Sequence, residues 1–457
     1  MPETNQIQKD VTIIGAGITG LTLAYYLKKK NVNVAVVENA DKIGGVIHTL
    51  KKNGFTFETG PNTGVLSNPE LAELFEELDL VELETANEDS KKRWIMKNNK
   101  FRAIPSGLIG GIRTPLFTFK DKIRILGEPW RKTGTDPNES LASLVRRRMG
   151  KSFLDYAVDP FISGIYAGDP EKIIPKYALP KLYNLEQEYG SFIKGAIKKK
   201  KEPKTERDLK ATKEVFSAKD GLEHLVKALG VSISEENIYL NCSNDKIESL
   251  ERGFKTTFSQ NNETFEIISQ KVITTIPSFE LPNLLPFISS DKLEPITALE
   301  YAKVVQLVLG YNNWKGIKLD AFGGLIPKLE NKKILGILFP SSIFENRAPK
   351  DGALLSVFMG GMRHPEVIDL KDEQILDIAV EEVKNTLKET QDPDLHHVFR
   401  YMHAIPQYTI TSPERLSAIE TIEQKYPGLI LAGNIRDGIG MADRVKQASE
   451  ISKNIIV

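Results

Sequence analysis

The stretch VTIIGAGITG, residues 11–20, constrains the fold of this 457-residue chain more than any other feature. It begins as an apolar strand and runs into a glycine turn. An amphipathic helix (ITGLTLAYYLKKK) and a second apolar strand (VNVAVVE) follow. This order predicts a βαβ unit over residues 10–38, whose parallel strands need cover on both faces of a sheet. We therefore expect an α/β fold.

The glycines of GAGITG fit a turn that holds a pyrophosphate. Gly15 permits the tight turn, Gly17 lets the backbone approach the phosphates, and Gly20 lets the helix pack closely on the strand. The N-terminus of the helix offers free N–H groups to the anion. Glu38 follows Gly20 by 18 residues, at a position where a carboxylate accepts ribose hydroxyls. These residues predict a dinucleotide site, with a chance glycine turn as the alternative.

Two further regions distinguish FAD from NAD. Gly44 and Gly45 follow the ribose carboxylate and precede FETGPNTG (57–64), and LAGNIRDGIGMADRV occupies residues 431–445. Both regions resemble the extended FAD signature of flavoproteins of the amine oxidase and glutathione reductase type. There the glycine pair passes close to the flavin half, and a C-terminal helix directs its positive end at the flavin and stabilises negative charge on the reduced ring. The resemblance implies FAD without a covalent link, since Cys242 lies far from these motifs.

The same resemblance implies which residues contact FAD: Gly15, Ala16, Gly17, Ile18, Thr19, Gly20, Glu38, Asn39, Gly44, Gly45, Val46, Gly60, Pro61, Asn62, Thr63, Ile247, Gly433, Asn434, Ile439, Gly440 and Met441. It also implies a discontinuous Rossmann-like FAD-binding domain, an α+β substrate domain and a helical membrane-associated insertion. The expected boundaries are 1–88, 214–278 and 405–457 for the FAD-binding domain, 89–100 and 279–404 for the substrate domain, and 101–213 for the insertion.

Several middle segments resemble the protoporphyrinogen oxidase family, in order along nearly the whole chain. They are DPFISGIYAGDPEKI, AFGGLIP with ILGILFPSSIFENRAP, LLSVFMGG, and AIPQY followed by PGLILAGN. The resemblance implies an oxidoreductase of heme biosynthesis that acts on CH–CH groups. Such an enzyme removes six electrons from protoporphyrinogen IX and passes them through FAD to dioxygen.

The resemblance also assigns the substrate site. Arg93 matches an arginine that pairs with a propionate, a role that suits a bidentate guanidinium. Asn62 matches an asparagine beside the flavin, where its amide orients the macrocycle. The remaining members are Leu325, Leu338 and Phe358, which match apolar positions on either side of the rings, and Gly164, which matches a glycine at the wall of the site. A surface arginine, a turn asparagine and ordinary core packing are the structural alternatives.

Other functions stay open at this point. Coproporphyrinogen III is the alternative substrate, and a more cationic pocket would favour it because it carries four propionates rather than two. Another activity of the flavin amine oxidase superfamily is a second alternative, and a non-catalytic flavoprotein that binds porphyrin is a third. Val46 and His48 stand where the family usually has a polar or cationic residue and an arginine, which makes the phosphate contacts less certain than the fold.

Composition limits the partners. The 61 Lys and Arg residues equal the 61 Asp and Glu residues, which argues against nucleic acid. Cysteine occurs once and His396 and His397 lack further ligands, so no metal site is expected.

The first ten residues resemble no targeting signal and no apolar run reaches 18 residues, so we expect a cytoplasmic protein. The mixture around LIGGIRTPLF and the nine basic residues in 194–213 favour peripheral attachment to the cytoplasmic face of a membrane, although a lysine run is as often a solvated loop. A ferrochelatase partner and a homodimer stay open.

Overall fold

A computed structural model describes residues 5–79, 83–105, 110–111 and 113–456. Its strands in chain order are β1 (Asn5–Ile14), β2 (Val34–Val37), β3 (Thr49–Lys52), β4 (Phe55–Glu58), β5 (Gly64–Val65), β6 (Leu83–Thr85), β7 (Trp94–Lys97), β8 (Lys100–Ala103), β9 (Val215–Ala218), β10 (Ile238–Tyr239), β11 (Ser243–Ser249), β12 (Phe254–Gln260), β13 (Glu263–Thr274), β14 (Tyr301–Tyr311), β15 (Gly323–Leu325), β16 (Ile334–Leu338), β17 (Ala353–Gly360), β18 (Leu395–Pro406) and β19 (Leu429–Leu431).

The helices of the described residues are α1 (Ile18–Lys29), α2 (Pro69–Glu77), α3 (Phe119–Leu126), α4 (Leu141–Arg148), α5 (Lys151–Phe153), α6 (Asp159–Ile165), α7 (Pro175–Ala178), α8 (Pro180–Tyr189), α9 (Phe192–Lys201), α10 (Glu206–Leu209), α11 (Glu223–Ile233), α12 (Leu281–Leu284), α13 (Ser290–Thr297), α14 (Pro340–Ile343), α15 (Asp372–Leu387), α16 (Ser412–Lys425) and α17 (Met441–Asn454). A π-helical turn, Leu154–Val158, joins α5 to α6.

Three separate parts of the chain build the first sheet. Its order is β10–β2–β1–β13–β12–β11, and β19 pairs with β13. β2, β1, β13 and β19 run parallel, and β12 and β11 extend the sheet antiparallel. All four residues of β2 are buried, as a parallel strand between helix layers requires. The sheet therefore has the doubly wound character that the βαβ pattern predicts.

A second sheet, with the order β18–β14–β17–β16–β15–β7–β8, positions the candidate site. Its pairs are antiparallel except β15 with β7. One face packs on α15, where Leu307 and Val357 meet Ile375, Ala379 and Val383 in a buried core. Because side chains alternate along a strand, Gln306 and Phe358 point to the opposite face. The candidate site lies on that opposite face.

The expected helical insertion does not begin at residue 101. Lys100–Ala103 form strand β8, which pairs with β7 as a hairpin. Asn98 and Asn99, at the turn, have positive φ angles of 54° and 57°. Asparagine tolerates this conformation, which two-residue hairpin turns favour, and the asparagine pair was the signal that sequence reasoning overlooked.

The insertion that follows is helical and has a charged interior. Arg148 is fully buried and pairs with Glu128 and, at 3.0 Å, with Glu186. Glu128 also accepts the N–H groups of Phe192 and Ile193 at 3.0 and 3.2 Å, which ties it to the start of α9. Within the described ranges no helix combines the length and apolarity needed to cross a bilayer. Of the LIGGIRTPLF segment, residues 108, 109 and 112 lie outside the described residues.

The cationic run 194–213 is helical in part and partly neutralised. α9 ends in four lysines, which suit the negative end of its dipole. Arg207 in α10 pairs with Glu70 and Glu73 of α2 at 2.8 and 2.7 Å, and Lys210 pairs with Glu76 at 2.5 Å. The alternative of a purely solvated loop is therefore wrong for residues 206–210, which include the short helix α10 and form ion pairs with α2. Their acidic partners lie too far away in sequence to be anticipated.

Candidate functional site

The first glycine turn leaves room for an anion. A Cβ on Gly20 would lie 2.0 Å from the carbonyl oxygen of Gly15, so only glycine lets α1 approach the strand this closely. A Cβ on Gly17, the residue before α1, would meet nothing within 4 Å. The first turn of α1 has no acidic side chain, and its N–H groups face this open space unopposed. The turn can therefore hold phosphate.

Two backbone N–H groups, one in the glycine turn and one just after Glu38 itself, hold the Glu38 carboxylate. Its Oε2 accepts the N–H of Ala16 at 2.6 Å, and its Oε1 accepts the N–H of Ala40 at 2.9 Å. A carboxylate oxygen accepts more than one hydrogen bond, so ribose hydroxyls can still bind. Asn39 is exposed next to it.

The second glycine pair lies directly against the first turn. The N–H of Gly44 donates to the carbonyl of Ala16 at 2.8 Å, and a Cβ on Gly45 would lie 3.3 Å from Cα of Gly17. A Cβ on Gly60 would lie 2.1 Å from the carbonyl oxygen of Val46, so the segment that contains GPN packs on the glycine pair. Residues far apart in sequence thus form one surface.

His48 is committed to a protein partner. Its Nδ1 lies 3.4 Å from Oε1 of Glu223, which begins α11. Val46, in contrast, exposes 60% of its surface. Neither residue supplies a free cation to a phosphate, so phosphate binding in this turn depends on backbone N–H groups.

The C-terminal motif is braced from behind. Tyr408 directs its hydroxyl at the carbonyls of Asn434 and Gly438, at 2.8 and 3.0 Å. α17 begins after Gly440, whose N–H donates to Oδ2 of Asp443 at 3.1 Å. A carboxylate in this first turn reduces the positive potential that the sequence led us to expect there.

Other predicted cofactor residues are distributed unevenly. Met441 packs against the core of the first sheet, and Ile439 packs against that of the helical insertion. Ile247 lies in β11 and is fully buried in the core beneath the first sheet. The structure does not bring the Ile247 side chain to the surface of the glycine turn.

The face of the second sheet that is turned away from α15 carries a row of partly exposed apolar side chains. Within the described strands β15, β16 and β17, the positions that are not fully buried are Leu325, Leu338 and Phe358. Leu325 and Phe358 both lie opposite Gly336, and Leu338 lies between Gly323 and Ser356. Large side chains therefore alternate with small ones, and we call the apolar surface that Leu325, Leu338 and Phe358 form the floor.

α6 forms a wall above this floor. A Cβ on Gly164 would lie 2.5 Å from Cδ2 of Leu325, so the helix touches the floor at this point. A larger side chain on Gly164 would displace Leu325.

Asn62 connects the floor to the glycine-rich segments. Its Oδ1 accepts the hydroxyl of Ser356 at 2.8 Å, and its Nδ2 donates to the carbonyl of Gly60 at 3.0 Å. Gln306, opposite Phe358, donates to the carbonyl of Glu58 at 2.9 Å. Segment 58–62 thus lies on the same face as the floor.

Arg93 stands at the other end of the floor, before β7. Three strand spacings of about 4.8 Å separate β7 from β17, which carries the Ser356 that bonds to Asn62, so these two strands lie roughly 14 Å apart. The guanidinium carbon lies 4.8 Å above the ring of Phe322. Among the described residues no carboxylate pairs with Arg93, and desolvation lowers its pKa below the usual value. Phe322 was missed by sequence reasoning.

Glu58 is a buried carboxyl beside this surface. Thr49 and the N–H of Leu222 donate to its two oxygens at 2.7 and 3.0 Å. Burial nevertheless raises the pKa of Glu58 to about 7, against the opposing effect of these hydrogen bonds. In the part of the chain that the structure describes, no cluster of His, Cys, Asp and Glu could hold a metal ion.

Comparison with known proteins identifies relatives along nearly the whole chain. Protoporphyrinogen oxidase 1, chloroplastic, from Arabidopsis thaliana is 30% identical, over 97% of this chain and 87% of its own length. Coproporphyrinogen III oxidase from Bacillus subtilis (strain 168) is 26% identical over 96% of each chain.

Solved structures share the fold. A crystal structure from Exiguobacterium sp. 255-15, provisionally named as a protoporphyrinogen oxidase, has a TM-score of 0.80 at 23% identity and covers 99% of each chain. Cyclohexylamine oxidase from Brevibacterium oxydans IH-35A has a TM-score of 0.70 at 15% identity. The model of the family described as flavin containing amine oxidoreductase matches residues 18–444. The chain therefore belongs to the flavin-containing amine oxidoreductase family and is a relative of the porphyrinogen oxidases.

Proposed function

We propose that this protein oxidises protoporphyrinogen IX to protoporphyrin IX, using FAD and passing six electrons to dioxygen. The observation that carries the proposal is the apolar floor of Leu325, Leu338 and Phe358, which lies between Arg93 and the dinucleotide segment at Asn62. A flat apolar ring with a carboxylate at one edge fits a floor with a cation at one end. Relatives named protoporphyrinogen oxidase support this substrate class.

The residues of the glycine turns fit FAD. The open space at Gly17 and the unopposed N–H groups of α1 suit the pyrophosphate, and Glu38 suits the ribose of the adenosine half. Segment 58–62, which touches both the second glycine pair and the floor, suits the flavin half. When bound, FAD supplies a ring that accepts a hydride from the substrate.

We call the proposed substrate space between α6 and the floor the slot. Its side chains bind and orient the substrate rather than transfer protons. The floor excludes water from one face of the macrocycle, and Arg93 binds a propionate in a bidentate manner. The carbonyl and amino groups of Asn62 are fixed by Ser356 and Gly60, which gives a rigid polar edge beside the flavin segment. Arg93 is the only one of the six proposed slot residues that carries a charge. This suits a reaction in which protons leave from pyrrole nitrogens.

Coproporphyrinogen III is the second candidate substrate. The relative from Bacillus subtilis that carries this name matches 96% of both chains. Against it stands the structure around Arg93, because Lys97, on the same face of the strand, already donates to the carbonyls of Pro115 and Leu116 at 3.2 and 2.6 Å. Further propionates would need other cations.

The test is aerobic oxidation of both substrates side by side by FAD-loaded protein, with porphyrin fluorescence and peroxide as readouts. We expect faster turnover of protoporphyrinogen IX and a KM about tenfold higher in Arg93→Met, because a charge-assisted pair is lost. Faster turnover of coproporphyrinogen III would assign the protein to the second candidate, and inertness toward both would reject porphyrinogen oxidation.

We also infer peripheral attachment to the cytoplasmic face of an anionic membrane. In α3, Phe119, Ile123 and Leu126 recur at helical spacing and are 78%, 54% and 63% exposed. Lys120 and Arg124 flank this stripe, and Trp130 lies exposed just beyond it. An apolar stripe beside cations suits an anionic lipid surface.

Sedimentation with anionic vesicles tests the attachment. The wild type should bind at low salt, and Phe119→Ser with Leu126→Ser should weaken binding without changing oxidation of soluble substrate. Equal sedimentation of wild type and double variant would contradict attachment through α3.

A further inference from the structure

The turn that follows β17 holds α6 at both ends. Asp159, the first residue of α6, pairs with Arg363 in this turn at 2.6 Å, and both side chains are nearly buried, 9% and 7% exposed. At the other end, the N–H of Met362 donates to the carbonyl of Ala167 at 2.7 Å. A Cβ on Gly361 would lie 2.6 Å from that same carbonyl, so helix and turn are in close contact.

The ion pair also reaches the strand that carries Leu325. The second carboxylate oxygen of Asp159 accepts the N–H of Lys328 at 2.8 Å, and Arg363 donates to the carbonyl of Ile326 at 3.0 Å. Ile326 directly follows Leu325, whose side chain touches α6 at Gly164. The pair therefore joins the wall of the slot to the floor strands β15 and β17.

We propose that Asp159 and Arg363 form a positioning pair that sets the width of the slot between α6 and the floor, and thereby the affinity for a flat macrocycle. This inference rests on the proposed function. Buried ion pairs contribute little net stability compared with apolar packing, but their directional hydrogen bonds fix geometry. Because α6 touches the floor at Leu325, a shift of α6 would move this side chain and change the width of the slot.

The experiment compares Asp159→Asn, Arg363→Gln and the double variant with wild type as FAD-loaded protein. We expect KM for protoporphyrinogen IX to rise about tenfold in each single variant, with kcat within about twofold and an unchanged FAD content. The dissociation constant for protoporphyrin IX, measured by fluorescence titration, should rise by the same factor. KM of the double variant should not exceed the higher of the two single-variant KM values, because the two residues act as one unit.

Ser163→Ala is the matched control on the same helix. Its hydroxyl is buried and bonds to the carbonyls of Asp159 and Pro160 within α6, at 3.0 and 3.1 Å. It should change stability but not KM. If Asp159→Asn fails to fold, Arg363→Lys, which keeps the charge, should fold and show an intermediate rise in KM.

The outcomes separate the two proposals. A wild type that oxidises no porphyrinogen and binds no porphyrin would reject the proposed function itself. An active wild type whose variants lose thermal stability while KM and porphyrin affinity stay unchanged would overturn the positioning role alone.

Discussion

At the scale of single residues, Phe322 holds Arg93 without neutralising it. A carboxylate at this place would compensate the charge and occupy the hydrogen-bonding edge of the guanidinium. An aromatic face stabilises the cation from below and leaves that edge free. Sequence reasoning found Arg93 through resemblance alone. It missed Phe322, because the stacking depends on the parallel pairing of β15 with β7, which no local pattern reveals.

Phe322→Leu should therefore weaken substrate binding through Arg93. We expect KM for the carboxylate-bearing substrate to rise about threefold to tenfold, since a cation–π contact contributes about 1 kcal/mol, while kcat changes little. Steady-state kinetics at low and high salt measure this. If Phe322→Leu also weakens binding in an Arg93→Met background, Phe322 acts independently of Arg93 and the explanation fails.

Glu58 should make stability depend on pH. Burial raises its folded-state pKa to about 7, above the value of 4.5 for a free side chain. Stability from the protonated form is thus fully present below about pH 4.5 and is lost as pH rises to about 7. Relative to wild type, the free energy of unfolding of Glu58→Gln should rise by about 3 kcal/mol in all between about pH 4.5 and about pH 7. Above that range the difference should stay constant. Urea unfolding at about pH 5 and about pH 8 checks this; an equal difference at both values would contradict it.

At the scale of elements, predictability followed the range of the interactions. The βαβ unit could be predicted because its periodicity and glycines are local. The apolar runs KVVQLVLGY, ILGILF and LLSVFMGG are also local signals, and they form the neighbouring strands β14, β16 and β17 of the second sheet. The neutralisation of Arg207 by α2 and the bracing of α6 by Arg363 depend on partners more than 130 and 200 residues away, so no local pattern indicates them.

The loop before α17 gives a prediction at this scale. The hydroxyl of Tyr408 donates to the carbonyls of Asn434 and Gly438 in this loop. Tyr408→Phe removes both hydrogen bonds and should therefore make the loop less rigid. We expect the dissociation constant for FAD to rise about fivefold, since a buried hydrogen bond contributes about 1 kcal/mol. Tyr426→Phe is the control, because its hydroxyl makes no hydrogen bond among the described residues. Equal FAD affinity in both variants, measured by fluorescence titration, would contradict the bracing role.

At the scale of the whole molecule, one short segment connects the glycine-rich region to the second sheet. Residues 58–62 touch the glycine pair through Gly60 and Val46, and they touch the second sheet through Gln306 and Ser356. The glycine-rich segments and the apolar floor are therefore directly connected. Strands from the beginning, middle and end of the chain build the first sheet, so the complete surface requires the folding of the whole chain. Apart from the start of the insertion, where residues 100–103 form a strand, the expected domain boundaries stay predictions.

The most direct test of this account is an anaerobic titration of the FAD-loaded protein with protoporphyrinogen IX. Each porphyrinogen carries six removable electrons and each flavin accepts two, so we predict loss of flavin absorbance with about three flavins consumed per porphyrin formed. Readmitted oxygen should restore the absorbance and yield peroxide. Binding of the porphyrinogen without any loss of flavin absorbance would contradict the account and would leave a flavoprotein that binds porphyrinogen without oxidising it.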